Sequence, residues 1–334
     1  METIGIGVVG CGFVGRGAHV PAFSAIEGAN LVAVADPDRS RLSKVKKKHD
    51  LESAYEDFAE LIEDPNVHAV VVSVPTPLHT RVAMAAIEAG KHVLCEMPLA
   101  ATLDEVDTMI AAAKSQGVIL MPGLNFRFTP TFTKMKEMID RGEIGRPVSA
   151  QYREFIPAAD LAGQWPTGAW VWDLEQSGGP LFTLAVWSID LLRWMFDTEI
   201  AEIHAETKYT KLEKHGGSLG YDSSVCARLE SGLVSSLQYS GSVARSASAC
   251  SLEVLGDSTS LITTSDNDLV TLLGDDPIKT EWNVKQPGAG MWGHLQQDEH
   301  FVQCIREGCT PITSPEDGRI ATQIAIQIAK STTG

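Results

Sequence analysis

The sequence predicts an α/β chain in two parts: a parallel sheet wrapped by helices, then an α+β domain on an open, mostly antiparallel sheet. Three observations carry this expectation. Short apolar strands alternate with helical patterns from Ile4 to Met121. These strands are apolar on both faces, as strands covered by helices on both sides must be. After about Pro122 the texture changes to runs in which apolar and polar residues alternate with period two. The expected domains are therefore 1–122 and 123–334.

The first strand is expected at Ile4–Val9, followed by a glycine loop and a helix beginning near Phe13. Pro21 should end or kink that helix, because its ring lacks an N–H and presses on the preceding turn. Residues 31–35 read as a second buried strand closing on Asp36, and 69–74 as another. Pro75-Thr76-Pro77 and a helix through 83–89 follow, with Gly90 as the stop. His92–Cys95 and 118–121 complete the series. A helix near 131–140 and a strand over 148–155 then lead into an aperiodic stretch, 161–177. Gly178-Gly179-Pro180 opens a helix, with proline in the first turn where its missing N–H costs nothing. From 201 to about 273 the pattern is antiparallel: Val225, Ala227 and Leu229 alternate with polar residues, Ser231-Gly232 turns, and Leu233, Ser235, Leu237 and Tyr239 continue. Helical patterns over 295–307 and 316–330 close the chain.

At 334 residues, 44% hydrophobic and 21% charged, the composition is that of a soluble globular protein. With 27 basic and 43 acidic residues the formal net charge is −16, which repels phosphate backbones and anionic lipid. We expect neither nucleic acid nor membrane as a partner. The run Lys44, Lys46, Lys47, Lys48 reads as a solvated helix face. The six cysteines show no CxxC and no zinc-like spacing, so no metal site is expected, and Cys11 and Cys95 lie in apolar segments that suit buried thiols. The chain enters a strand directly after Met1-Glu2-Thr3, which leaves no room for a signal peptide, and a cytoplasmic location is expected.

Gly10, Gly12 and Gly15 form a GxGxxG pattern that follows a strand and opens a helix, the context in which the pattern signals a dinucleotide. The first glycine permits a tight turn, the second lets the backbone approach a diphosphate, and the third lets helix and strand pack closely. The helix N-terminus, at Phe13 and Val14, offers N–H groups to phosphate oxygens. Asp36 ends the second strand, where a carboxylate accepts hydrogen bonds from ribose hydroxyls and repels a 2′-phosphate. NAD is therefore the expected cofactor rather than NADP, with Arg39 and Arg41 close enough to soften the preference.

Further segments belong to one pattern: 72–79 (VSVPTPLH), 89–98 (AGKHVLCEMP), 125–130 (NFRFTP) and 177–180 (SGGP). Together they resemble the glucose–fructose oxidoreductase/inositol dehydrogenase (Gfo/Idh/MocA) family over nearly the whole chain. The resemblance implies a Rossmann domain plus an open-sheet domain commonly used for oligomer contacts, hence a homodimer or homotetramer. It implies that Ser73, Pro75, Thr76, His79, Glu96 and Met97 join the glycines, Phe13, Val14 and Asp36 around the cofactor. It further implies that Arg127 lies near the substrate. Members that oxidise cyclic polyols carry Glu-Lys-Pro at the strand end and an Asp-x-x-x-His pair on the helix after the glycines. Here Met97 stands for the lysine, and Thr183 and Trp187 stand for the aspartate and histidine when Asp190 is aligned with the family's downstream aspartate. The candidate substrate pocket is thus Met97, Arg127, Thr183 and Trp187, and the proton-handling group is unassigned.

Tyr152, Arg153, Glu154, Asp173, Glu175, His294 and His300 are weighed as substitutes, each against a structural role. The expected function is NAD(H)-dependent oxidoreduction of a sugar-derived or other cyclic small molecule. A non-catalytic NAD-binding regulator and an NAD-dependent glycosidase are the alternatives; net NADH turnover separates them.

Overall fold

A computed structural model describes residues 3–51, 53–157, 171, 177–212, 218–265, 268–274, 280–284 and 292–331. Most of the aperiodic stretch 161–177, including Asp173 and Glu175, lies outside the described residues, as do Met1 and Glu2.

In chain order, β1 (Ile4–Val9) leads through the glycine turn into a π-helical turn (Gly15–His19) and α1 (Val20–Phe23). Then come β2 (Ala29–Ala35), α2 (Arg39–His49), β3 (Ser53–Tyr55), α3 (Phe58–Glu63), β4 (Ala69–Val72) and α4 (His79–Glu88). β5 (His92–Cys95), α5 (Leu103–Gln116), β6 (Leu120–Pro122), α6 (Pro130–Asp140) and β7 (Pro147–Phe155) follow. After α7 (Pro180–Phe196) come β8 (Ile200–Leu212), β9 (Ser218–Leu229), β10 (Val234–Ser240) and β11 (Ala249–Gly256). β12 (Leu261–Ser265), β13 (Leu269–Leu273), β14 (Thr280–Asn283), α8 (His294–Glu307) and α9 (Pro315–Lys330) complete the order.

The strands form two sheets. The first has the order β3-β2-β1-β4-β5-β6 and is parallel throughout, the doubly wound dinucleotide-binding arrangement. β1 and β4 are buried along their whole length, as strands covered on both faces are. The second sheet runs β14-β13-β12-β11-β7-β10-β9-β8 and is antiparallel except for the β7–β10 pair. Its covered face carries Tyr152, Tyr221, Tyr239, Leu252, Val254 and Ile262, all buried. Tyr239 Oη lies 2.5 Å from the α7 hydroxyl of Ser188, which ties that face to the helix.

Pro21 does not end the first helix, which continues to Phe23. The amide of Val20 instead bonds to Gly15 O, an i→i−5 bond that widens the turn where the proline ring would press on a carbonyl. Contacts also group the chain differently from a single cut at 122. One unit is Met1–Asn125 with Gly288–Gln323, and the other is Phe126–Pro287 with Ile324–Gly334. α8 returns to pack on α1, and a contact between residues 279 positions apart leaves no mark in local periodicity.

Candidate functional site

In the first unit the glycine turn is shaped by its surroundings. Gly10 has φ +101, and a Cβ there would meet Ser73 O at 2.2 Å. A Cβ on Gly15 would lie 1.9 Å from Gly10 O. Gly12 has nothing within 4 Å of its would-be Cβ. Two glycines are thus demanded by the protein itself, while the middle one opens onto space in which a diphosphate can approach the backbone. Phe13 and Val14 follow half-buried, at the helix start.

Asp36, just past β2, is 4% exposed. Its Oδ2 accepts the Cys11 amide at 2.8 Å and the Arg41 guanidinium at 3.1 Å, and its Oδ1 accepts the Asp38 amide at 2.8 Å. The carboxylate is therefore fixed against the glycine turn. It borders a cavity of about 410 Å³ lined also by Gly10, Phe58, Val74, Leu78 and Arg81. That volume and a carboxylate at its rim fit an adenosine. Phe58 and Arg81, whose guanidinium lies 5.3 Å from the Phe58 ring centre, were not anticipated; no motif marks them, and the packing of α3 on β1, β2 and α4 brings them here.

The loop after β4 carries Ser73, Pro75 and the buried Thr76. His79 is buried between two carbonyls, with Nδ1 2.8 Å from Pro98 O and Nε2 2.8 Å from Val74 O. Burial lowers its pKa, and the neutral ring donates to one of the two. Its position fastens this loop to the one after β5.

Sequence reasoning also missed His19. It is fully buried on the π-helical turn, with Nδ1 2.9 Å from Asp298 Oδ2 and Nε2 2.9 Å from Glu96 Oε1. His294 Nε2 lies 3.7 Å from the same Glu96 oxygen. Burial opposes a charge on His19, but Asp298 and Glu96 overcome it and raise its pKa to about 10. Burial likewise opposes the Glu96 charge, yet hydrogen bonds from His19 and His294 hold its carboxyl far below the usual range. Glu96 therefore stays an anion and is no base. His19, Glu96 and His294 present ligand atoms within 4.8 Å of one another, with His19 Nε2 and Glu96 Oε1 bonded to each other at 2.9 Å. The spacing of His19 after the glycines was the available signal; its partners on α8 were not legible. Met97, next to Glu96, is 3% exposed.

In the second unit, Arg127 grips Asp190 of α7 through two bonds, Nε to Oδ2 at 2.7 Å and Nη2 to Oδ1 at 2.5 Å, both side chains buried. Arg193 Nη1 lies 3.7 Å from the same carboxylate. Thr183 and Trp187 share one α7 face, as their i, i+4 spacing requires. Thr183 Oγ1 bonds back to Gly179 O at 3.4 Å, and Trp187 packs 6.2 Å from the Phe126 ring.

Of the weighed substitutes, Arg153 is exposed and His294 is engaged with Glu96. Glu154 is buried; its Oε2 accepts the Tyr152 hydroxyl at 2.6 Å, and its buried Oε1 has no partner among the described residues. Burial, partly offset by the Tyr152 bond, pushes its pKa up to about 7.

Residues 4–124 match the family model described as "Oxidoreductase family, NAD-binding Rossmann fold", and residues 132–262 match the "GFO/IDH/MocA C-terminal domain". The chain is 30% identical to myo-inositol 2-dehydrogenase of Thermotoga maritima, covering 98% of this chain and 95% of that protein. It is 26% identical to scyllo-inositol 2-dehydrogenase (NAD(+)) of Bacillus subtilis, covering 97% and 92%. Among solved structures, a probable dehydrogenase from Thermotoga maritima superposes with a TM-score of 0.80 at 30% identity, covering 98% of this chain and 96% of that one. Among the described residues, no helix is long and apolar enough to cross a membrane.

Proposed function

The chain belongs to the Gfo/Idh/MocA family of NAD-dependent oxidoreductases, and on that premise we propose that it acts on a sugar-derived or other cyclic substrate without the usual acid/base set. The observation that carries the substrate class is the full-length similarity to an inositol dehydrogenase. Bound NAD supplies the hydride acceptor. The turn at Gly12 receives the diphosphate and Asp36 the adenosine ribose, with Ser73, Pro75 and Thr76 bordering the cofactor. Glu96 contributes a fixed negative charge, since His19 keeps it ionised. Met97, Thr183 and Trp187 replace ionisable groups by a thioether, a hydroxyl and an indole, which favours a ring with fewer hydroxyls than inositol. Glu154 is a group in the second unit able to hold or release a proton near neutral pH.

The test is NADH formation with a panel of inositols, glucose, anhydrosugars and cyclic diols. We expect turnover with a sparsely hydroxylated ring and none of note with inositols or glucose. Met97→Lys alone should bring no polyol oxidation, because its ammonium would lack an aspartate partner; Thr183→Asp and Trp187→His must accompany it. A gain above about 10²-fold from Met97→Lys alone would show a polyol site lacking only its base. NAD binding without turnover of any ring would favour the regulator.

A further inference from the structure

Cys304 lies in the last turn of α8 and Cys309 just beyond it. Gly308, at φ +66, ends the helix in the left-handed conformation, and the Cys309 amide bonds back to Cys304 O at 3.1 Å. This turn brings the two sulfurs to 2.8 Å. That is inside ordinary van der Waals contact and within reach of the S–S bond length of about 2.0 Å. Cys304 is buried and Cys309 half-buried, so one thiol is reachable from solvent and the other waits behind it. A third group completes the arrangement: His300, one turn earlier, has Nε2 3.5 Å from Cys304 Sγ. The same nitrogen accepts the Ile312 amide at 3.1 Å, so it is the unprotonated nitrogen of a neutral ring, and burial keeps the ring neutral.

We propose that Cys304 and Cys309 form a reversible dithiol modification site that exchanges with low-molecular-weight disulfides of the glutathione type. Cys309, as thiolate, attacks one sulfur of the external disulfide. A mixed disulfide forms and one small thiolate leaves, taking up a proton from water. Cys304 then attacks the Cys309 sulfur, its proton passing to His300 Nε2, and the second small thiolate departs and takes up a proton. One external disulfide is reduced to two thiols and the protein pair loses two hydrogens, so electrons and atoms balance. Burial and the neighbouring Cys309 sulfur push the Cys304 thiol up to about 12, so its proton needs an acceptor, and His300 Nε2, 3.5 Å away, is placed to take it.

Trypsin cleaves after Arg306, between the two cysteines, so the bond is directly readable. Peptides 286–306 and 307–319 carry one cysteine each and should appear joined after incubation of the native protein with oxidised glutathione. They should separate again on dithiothreitol treatment. Cys226, exposed and distant from both in sequence, should take up glutathione without forming a link. Cys304→Ser should stop at glutathionylated Cys309. His300→Gln should form the same link several-fold more slowly, with the difference vanishing at alkaline pH. Unlinked peptides from the folded wild type, or links to other cysteines in its place, would overturn the proposal. Equal linking rates in His300→Gln at neutral pH would remove His300 from it.

Discussion

At the scale of single residues, two buried carboxylates decide different things. Asp36, held by the Cys11 and Asp38 amides, borders the cavity of the first unit, and on the proposed reading it meets the adenosine ribose there. A 2′-phosphate about 5 Å away would be repelled by about 3 kcal/mol per unit charge at an effective dielectric of about 20. Arg41 offsets part of this, since its guanidinium already touches Asp36. The protein should bind NAD(H) more tightly than NADP(H), and Asp36→Ser should narrow the gap; calorimetric titration showing NADP(H) preferred by the wild type would defeat the assignment. Asp190 instead holds the second unit together through Arg127. Removing one partner of a buried pair strands the other charge, typically at about 3–5 kcal/mol. Arg127→Ala should approach that loss in urea denaturation, moderated by Arg193, whereas Arg127→Met with Asp190→Leu should lose much less. Equal losses would mean that the pair is not the unit of stability. The place of Asp36 beside the glycine turn was legible, because a strand end after a GxGxxG turn has a known neighbour. The Arg127–Asp190 pair was not, since nothing in the spacing of 63 residues announces contact.

At the scale of elements, β7 is the informative strand. It was legible as a strand over 148–155, and the structure puts Tyr152 and Glu154 on one face and Gln151 and Arg153 on the other. What could not be read was which face lay buried, because both carry polar residues. The structure buries Glu154, and the cost is pH-dependent. Its folded pKa, about 7, lies above the ordinary 4.5, so the folded state keeps the proton longer than the unfolded one. Stability therefore falls as pH rises from about 4.5 to about 7 and levels off above. The total loss is of the order of 3 kcal/mol at about 1.4 kcal/mol per unit. Glu154→Gln keeps the shape without the charge. Its melting temperature should match that of the wild type near pH 4 and exceed it by several degrees at pH 8; parallel curves across that range would place Glu154 in contact with water. The strand–helix alternation of the first unit was clear because buried parallel strands are short, apolar and bounded by glycine and proline. The π-helical turn at Pro21 was not, because sequence marks where a helix is stressed and leaves open whether it breaks or widens.

At the scale of the whole molecule, one row of exposed apolar side chains crosses the open face of the second sheet. The register pairs Leu273 with Leu261, Leu261 with Leu255, Leu255 with Ser149, and Ser149 with Val234, across five neighbouring strands. Val234 is 52% exposed, Leu255 41% and Leu273 40%. Such an exposed apolar row favours self-association. Light scattering should give a dimer or tetramer, and Val234→Lys with Leu255→Lys should reduce it to a monomer; a monomeric wild type at micromolar concentration would contradict this. Another consequence follows from the discontinuous first unit. His19 and Glu96 are made early, but their partners Asp298 and His294 are made nearly last, after all the strands of the second sheet. A growing chain that has just released β6 from the ribosome holds an imidazole and a carboxylate whose burial is not yet complete. The nucleotide-binding half is therefore sealed only when α8 emerges, by which time every strand of the later sheet is available to pair. In this chain the half translated first is the half closed last.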